Sequence, residues 1–268
     1  MRQAGRYLPS YQHLRARHSL YTLFTEPDLI AAVTQLPLQA YPFDAAILFS
    51  DITIVALSLG LTLTFSEGPR ITGTSPPQPL TFLTTAIRAL KQTLTVPLIG
   101  FVGSPYTVST YLNHYPLAPL TAALLHLIDL QIDAGVDAIQ IFESHPHHPS
   151  HPYLKQLIDH TRARNIPTIL FARDASAHPH LYAALNPTAL SVDEGQPLLA
   201  IRNKLSLPLQ GNLASDALLD PSTLQPQLNE LLTSMRGDPA WIFNLGHGIK
   251  PQTPLASLDL IFNKLGQM

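Results

Sequence analysis

Two arginines lie four residues apart at the start of the chain, in the segment Arg2-Gln3-Ala4-Gly5-Arg6. A guanidinium group stays charged at any ordinary pH and binds a carboxylate through two parallel hydrogen bonds. Arg15 and Arg17 follow soon after, so basic residues are concentrated at this end of the sequence. The cluster predicts a site for carboxylates, although an exposed basic turn without a ligand has the same composition.

Two further residues with catalytic chemistry follow short apolar runs. Asp51 comes after Ala45–Phe49 and is followed by more apolar residues. Its carboxylate is therefore expected to be partly desolvated and to need hydrogen-bond donors or a cation. His247 stands between two glycines, which allow the backbone to turn tightly and approach a ligand. The pattern alone also permits a helix N-cap at Asp51 and a structural histidine at 247.

The elements that position these residues are indicated by seven apolar runs, each ending in a polar or glycine-containing turn. The runs are Ala45–Phe49, Pro97–Val102, Ala138–Phe142, Thr168–Ala172, Ala189–Val192, Leu207–Leu209 and Trp241–Phe243. Short apolar runs bounded by turn formers predict strands buried on both faces, as in a parallel sheet.

Segments with helical spacing lie between the runs. They are Thr25–Gln39, Leu117–Ala134, Leu224–Met235 with an Asp220-Pro221 start, and Pro254–Leu265. Strands that alternate with helices predict an α/β fold of βαβ units, and seven strands nearly complete a (β/α)8 TIM-type barrel. The missing first strand is expected before Arg2. An open doubly wound sheet is the structural alternative, and residues 1–268 are predicted to form one domain.

In such barrels, reactive residues gather after the carboxyl ends of the strands. This rule nominates Asp51, Ser144, Asp174, Asp193, Asn212 and His247. Asp174 and Asp193 also fit the simpler role of helix caps.

Composition excludes several classes of function. The formal net charge of −2 provides no overall attraction for nucleic acid or an anionic membrane. Cysteine is absent, which excludes disulfides, thiolate metal sites and a cysteine nucleophile. Neither a secretory signal nor a membrane-spanning run is evident in the sequence, and a cytoplasmic protein is expected. The histidine group at 145, 147, 148 and 151 could bind a metal ion adventitiously, but no dedicated metal site is predicted.

Several motifs along nearly the whole chain resemble those of the uroporphyrinogen decarboxylase family. The motifs are Met1–Pro9 (MRQAGRYLP), Phe49–Ile52 (FSDI), Leu98–Phe101 (LIGF) with Ser104-Pro105, Phe142–His145 (FESH), Gln210–Leu213 (QGNL) and Asn244–Ile249 (NLGHGI). The resemblance implies decarboxylation of the four acetate arms of uroporphyrinogen III to methyl groups, without a cofactor. It also implies a homodimer.

The resemblance further implies roles for individual residues. Asp51 would bind the pyrrole N–H groups and stabilise positive charge, and Arg2, His247 and Asp51 would be the catalytic residues. The proton donor stays open between His247 and a water molecule held by Arg2. Substrate binding would involve Arg2, Gln3, Ala4, Gly5, Arg6, Asp51, Tyr111, Phe142, Ser144 and His247, with Arg15 as a weaker candidate.

The sequence also departs from the family pattern. The first strand is missing, and the regions after Tyr111 and after Ser144 are compressed. A tetrapyrrole-binding barrel without activity therefore remains an alternative. A methyltransferase of the same superfamily is a weaker one, because its zinc site would need a thiolate ligand.

Overall fold

A computed structural model describes residues 5–65, 68–145 and 151–267 of the chain. In chain order, its strands are β1 (Ala46–Ile47), β2 (Leu61–Thr64), β3 (Arg70–Thr74), β4 (Leu98–Gly103), β5 (Ala138–Glu143), β6 (Thr168–Ala172), β7 (Ala189–Val192), β8 (Leu209–Leu213) and β9 (Trp241–Leu245). All except β2 and β3 belong to one parallel sheet, in the order β1-β4-β5-β6-β7-β8-β9.

Helices lie between successive strands of the sheet, before β1 and after β9. They are α1 (Pro9–Arg17), α2 (Leu20–Thr25), α3 (Pro27–Ala40), α4 (Val55–Ser58), α5 (Thr81–Thr93), α6 (Pro105–Tyr111), α7 (Leu117–Ala134), α8 (His151–Ala163), α9 (Pro179–Ala183), α10 (Leu198–Arg202), α11 (Pro221–Ser234) and α12 (Leu255–Leu265), with a short 3₁₀ helix at Asp216–Leu219. Strands that add in chain order without a reversal form a barrel wall, and a doubly wound sheet would reverse its order. The prediction of a TIM-type barrel with seven strands is therefore confirmed.

The centre of the sheet is the most deeply buried part of the fold. Every residue of β6 and of β7 is buried, as expected for strands covered by side chains on one face and helices on the other. Helix α7 is long and apolar enough to cross a membrane, but it packs against α5, α6, α8 and β4. These contacts are typical of a core helix.

The two edge strands of the sheet, β1 and β9, lie next to the gap where an eighth strand would stand. Ile242 in β9 is 44% exposed, which contrasts with the buried central strands. Helices bring the two sides of the gap together. Tyr41, just after α3, stacks on Phe262 of α12 with ring centroids 4.8 Å apart, and its hydroxyl donates a hydrogen bond to Asp259 at 3.0 Å.

The structure corrects the predicted ends of β8 and β9 and adds elements that were not predicted. Strand β8 begins at Leu209 and continues through Gln210-Gly211-Asn212, which had been predicted as the turn. These polar residues stay in the strand because their side chains are satisfied inside the fold: Gln210 donates to Ser191, and Asn212 donates to two carbonyl groups. Strand β9 extends to Leu245. The antiparallel hairpin of β2 and β3 was not predicted, and neither was helix α5.

Candidate active site

A cavity of about 240 Å³ lies at the carboxyl ends of the strands, where the barrel rule places reactive residues. Among its lining residues are five that the sequence nominated: Arg6, Asp51, Phe142, Ser144 and His247. They come from four separate parts of the chain. The rest of the lining is mostly apolar and includes Tyr11, Phe24, Ile47, Phe49, Phe101 and Phe171.

Arg6 reaches the cavity from a tight turn before α1. Gly5 adopts a positive φ of 69°, and a Cβ atom at this position would lie 2.8 Å from Cδ1 of Leu8. Glycine is therefore needed here, both for the backbone conformation and for space. The turn is closed by a hydrogen bond of 2.8 Å from the Leu8 N–H to the Gly5 carbonyl.

Of the other residues predicted in the arginine segment, the structure describes only Gly5. Arg2, Gln3 and Ala4 lie outside the described residues. Gly5 shapes the turn and is not part of the cavity lining, and the exposed Arg15 donates to the carbonyl of His18 at 3.0 Å. The structure thus brings Arg6 to the cavity and leaves Arg15 on the outer side of α1.

Asp51 follows β1 and is half-buried at the cavity. Its Oδ1 accepts hydrogen bonds from the backbone N–H of Thr53 at 2.8 Å and from the Thr53 hydroxyl at 2.5 Å. This is a side-chain-closed turn that precedes α4. The helix N-cap that the pattern permits at Asp51 is not found, because the N-cap of α4 is Ile54. Within the described residues, Oδ2 makes no hydrogen bond. One carboxylate thus fixes the loop and also faces the cavity.

His247 lies just beyond β9, with an exposed side chain that lines the cavity. The preceding residue, Gly246, packs so closely against the loop after β7 that a Cβ atom would come within 2.6 Å of the backbone nitrogen of Glu194. Glycine is therefore required at 246 for close approach to another loop, and Gly248 contributes directly to the cavity wall.

Three phenylalanines from adjacent strands form an apolar surface of the cavity. Phe101, Phe142 and Phe171 come from β4, β5 and β6 and contact one another edge to face, with ring centroids 5.7 and 6.0 Å apart. Only Phe142 was predicted as a site residue. The available signal was a phenylalanine within or at the end of several predicted strands, and side chains near the ends of neighbouring parallel strands meet at one edge.

Tyr11 is a second residue that the sequence interpretation missed. Burial raises the pKa of its hydroxyl, while the charges of Arg6 and Arg15 act in the opposite direction. Its ring also contacts Phe49 edge to face at 6.2 Å. Tyr11 therefore lies close to both Arg6 and Phe49, on the side of the cavity that also contains Asp51.

Tyr111 does not lie in the cavity. The resemblance implied that it binds substrate, but it is the last residue of α6 and is 40% exposed. Its ring packs edge to face against His145, with the centroids 5.8 Å apart. In this structure the tyrosine is thus outside the cavity lining.

The remaining residues nominated by the strand-end rule serve the fold. Asp193 accepts hydrogen bonds from the Ser176 backbone and hydroxyl, each at 2.7 Å. Asn212 donates to the carbonyl groups of Asp193 and Gln196. Asp174 accepts a hydrogen bond from Tyr182, whose pKa is raised first by burial and then by Asp174. The rule located the right edge of the sheet but did not separate site residues from loop supports.

No group of three or more metal-binding side chains occurs in the described ranges 5–65, 68–145 and 151–267. The predicted histidine group lies largely outside those ranges, since His147 and His148 are not described. What the cavity does offer is a guanidinium group at Arg6, a carboxyl group at Asp51 and an imidazole at His247, on a mostly apolar surface. Such a cavity suits an extended organic molecule that carries carboxylates and donors for a carboxylate.

Fold and cavity together define an α/β-barrel protein with its candidate site at the carboxyl ends of the strands. Residues 1–116 and 113–266 match the sequence model of the uroporphyrinogen decarboxylase (URO-D) family. The chain belongs to this family. The two matched stretches meet at residues 113–116, just after Tyr111, within the region expected to be compressed.

Individual relatives agree with this placement. The chain is 36% identical to the uroporphyrinogen decarboxylase of Protochlamydia amoebophila, over 94% of this chain and 82% of the relative. It is 34% identical to that of Anaeromyxobacter dehalogenans, over 97% of this chain and 91% of the relative. Among solved structures, a methyltransferase from Methanosarcina mazei has a TM-score of 0.74 at 19% identity, covering 91% of this chain and 86% of that one. The last likeness concerns the fold alone.

Proposed function

We propose that this protein decarboxylates the four acetate arms of uroporphyrinogen III, giving coproporphyrinogen III in tetrapyrrole biosynthesis. Membership of the URO-D family and relatives of that name over most of the chain support the activity. The single structural observation that carries the proposal is the shared cavity of Arg6, Asp51 and His247. These three residues lie far apart in the sequence, and each matches a different motif of the family.

The reaction needs no cofactor because the pyrrole ring accepts the electrons. Protonation of the ring carbon next to the one that carries the acetate arm gives a cation that is conjugated with the acetate-bearing carbon. The electrons of the breaking C–C bond then flow into this cation, and carbon dioxide leaves. The resulting exocyclic methylene carbon takes up a proton while the ring carbon loses one. Each cycle therefore exchanges one carboxylate for one hydrogen.

Asp51 is proposed to stabilise the cationic intermediate. Its carboxylate is held in place by Thr53 before any substrate arrives, so little reorganisation is needed when positive charge develops on the ring. The same carboxylate is a suitable acceptor for the pyrrole N–H groups. The surrounding phenylalanines lower the local dielectric constant, which strengthens both interactions.

Arg6 is proposed to bind substrate carboxylates, together with Arg2 at the same end of the chain. The Ser144 hydroxyl is proposed as a further donor, and Phe142 as a surface for the macrocycle. His247 is the proposed proton donor, because imidazole exchanges protons near neutral pH whereas the pKa of arginine is too high for that task. A water molecule held by Arg2 is the alternative donor.

A tetrapyrrole-binding protein without turnover is the second candidate. Two observations favour it: the sheet has seven strands in the described part of the chain, and Tyr111 lies outside the cavity lining. Both candidates predict binding of uroporphyrinogen, but only the enzyme releases carbon dioxide.

The test is to incubate the purified protein anaerobically with uroporphyrinogen III, oxidise the products and separate the porphyrins by number of carboxylates. The enzyme is expected to yield the heptacarboxylate intermediate and then coproporphyrin. Binding seen by fluorescence quenching, with all eight carboxylates retained, would select the non-catalytic binder.

We further propose that the protein acts in the cytoplasm as a homodimer, on a small-molecule substrate and without nucleic acid or membrane partners. Family membership and the near-neutral formal charge support this assignment. Light scattering after size-exclusion chromatography measures the mass directly, and a particle of the monomer mass of 29.4 kDa would contradict the dimer.

A further inference from the structure

Glu143 is a buried acidic residue next to the cavity that the proposed mechanism does not use. It is the last residue of β5 and lies between Phe142 and Ser144, yet its side chain is only 3% exposed. The ion pairs in the described part of the chain do not include it. A buried carboxylate without a cation has to be stabilised by hydrogen-bond donors.

Three donors surround this carboxylate. The hydroxyl of Ser104 donates to Oε2 at 2.7 Å, and the hydroxyl of Thr107 donates to Oε1 at 2.6 Å. The backbone N–H of His145 also donates to Oε1, at 3.0 Å. The donors thus come from the start of α6 and from the loop that follows β5.

The two hydroxyl groups also act as acceptors, which fixes the direction of the whole network. Ser104 Oγ accepts the backbone N–H of Thr107 at 3.1 Å, as the N-cap of α6. Thr107 Oγ1 accepts the backbone N–H of Ser144 at 2.9 Å. Each hydroxyl has a single proton and gives it to Glu143, so both oxygens of Glu143 act as acceptors in the network.

This network has a direct consequence for the cavity. The backbone N–H groups of Ser144 and His145 both point into the network and are not available to a ligand. As a hydrogen-bond donor, Ser144 can therefore offer a substrate only its side-chain hydroxyl. The position of that hydroxyl depends on a backbone held by Glu143 through Thr107.

We infer that Glu143 is a positioning residue for substrate binding: with Thr107, it holds Ser144 in the cavity wall and locks the loop after β5 to the start of α6. This inference rests on the proposed function for its kinetic readout. Replacing Glu143 by glutamine keeps the shape but turns an acceptor into a donor that faces hydroxyl groups with their own protons. An amide donor and a hydroxyl donor would then face each other, and the hydrogen bond between them would be lost unless the hydroxyl turned away.

The kinetic test compares Glu143→Gln, Thr107→Val and Thr107→Ser. The first two variants are expected to raise KM for uroporphyrinogen III about tenfold with kcat changed less than about twofold, as expected when a ground-state contact is weakened. Thr107→Ser retains the hydroxyl and should keep KM near the wild-type value. Should Glu143→Gln fail to fold, the threonine pair carries the test. Unchanged KM in folded Thr107→Val would overturn the inference.

A double-mutant cycle with Ser144→Ala tests whether the effect acts through Ser144. Once the Ser144 hydroxyl is gone, Glu143→Gln should add little to KM, because both changes remove the same contact. Additive effects would overturn the inference. The matched control is Asp137→Asn at the opposite end of β5, where Asp137 accepts the backbone N–H of Leu98 at 2.7 Å. It should lower the melting temperature and leave KM unchanged.

Hydrogen exchange at the Ser144 and His145 amides reports the positioning without any substrate. Thr107→Val should accelerate exchange at Ser144 at least about tenfold over wild type, since its amide loses its acceptor. An inactive wild type with this exchange pattern would count against the proposed function only. Slow exchange in the valine variant would count against the positioning network itself.

Discussion

Asp51→Asn separates the charge of this residue from its role in the loop. Oδ1 of Asp51 closes the turn with the Thr53 N–H and hydroxyl groups. Asparagine retains a side-chain oxygen that can accept both hydrogen bonds, and asparagine is as favourable as aspartate in such turns. The substitution should therefore leave the loop in place and remove only the negative charge that faces the cavity.

The expected effect on the rate follows from the distance and the environment. A cationic pyrrole bound by this carboxylate would lie about 4 Å from its charge, and at an effective dielectric constant of about 20 the interaction is about 4 kcal/mol. This dielectric constant fits Asp51 because the residue is half-buried at an open cavity. If this interaction is made only in the transition state, its loss lowers kcat about a thousandfold.

The assay measures initial rates of heptacarboxylate formation together with the free energy of unfolding in urea. Asp51→Asn should change that free energy by less than about 0.5 kcal/mol, while kcat falls about a thousandfold. Thr53→Val is the matched control: it removes one hydrogen bond to Asp51 and keeps the charge, so it should cost about 1 kcal/mol of stability with less than about a tenfold loss of rate. A folded Asp51→Asn variant with kcat within a few-fold of wild type would refute the electrostatic role.

The other predictions concern three separate sites. Arg6→Ala should raise KM for uroporphyrinogen at least about tenfold because a charge-assisted contact is lost, whereas Arg17→Ala, on an exposed part of α1, should leave KM unchanged. His114 has a positive φ of 59°, so His114→Gly should relieve backbone strain and raise the free energy of unfolding by up to about 1 kcal/mol. A free energy of unfolding below the wild-type value would show that the histidine side chain contributes more than the strain costs. Burial tends to raise the pKa of Asp137, but the Lys91 and Leu98 hydrogen bonds and the Lys91 charge outweigh it, so the pKa lies below its ordinary value of 3.8. The stability that this carboxylate provides is complete above about pH 4 and is lost as pH falls through the lowered pKa. The difference in unfolding free energy between wild type and Asp137→Asn should therefore disappear in acid. A difference that persists at about pH 2 would contradict this prediction.

The sheet was predictable because its signal is local. Each buried parallel strand is a short apolar run followed by a turn former, and Thr168–Ala172 and Ala189–Val192 were located to the residue. Prediction failed where polar residues are buried. The segment Gln210–Asn212 resembles a turn in composition, and only contacts with neighbouring loops and strands make it part of β8.

The hairpin was missed for a related reason. Strand β3 is mostly exposed and carries little apolar pattern, so its pairing with β2 cannot be deduced from the sequence of either strand. Tyr111 was expected at the substrate by resemblance, but α6 begins at Pro105 and is short, which puts residue 111 at its exposed end.

The candidate site was predicted in part from single residues and in part from motifs. Asp51 and His247 were nominated by their positions after strands, and the structure places both at one cavity with Arg6. Glu143 was not nominated, because its partners Ser104 and Thr107 lie 39 and 36 residues away along the chain. A buried carboxylate is recognised by its donors, and those are assembled only by the fold.

The gap between β1 and β9 has a mechanical consequence for the cavity. Asp51 follows β1 on one side of the gap and His247 follows β9 on the other. Among the described residues, no strand pairs with both β1 and β9, so strand pairing does not set the distance between these two side chains. That distance depends instead on contacts such as the stacked rings of Tyr41 and Phe262, which join the first third of the chain to the last third. The spacing of Asp51 and His247 thus depends on side-chain packing, whereas the phenylalanines on β4, β5 and β6 lie on strands that pair directly with one another.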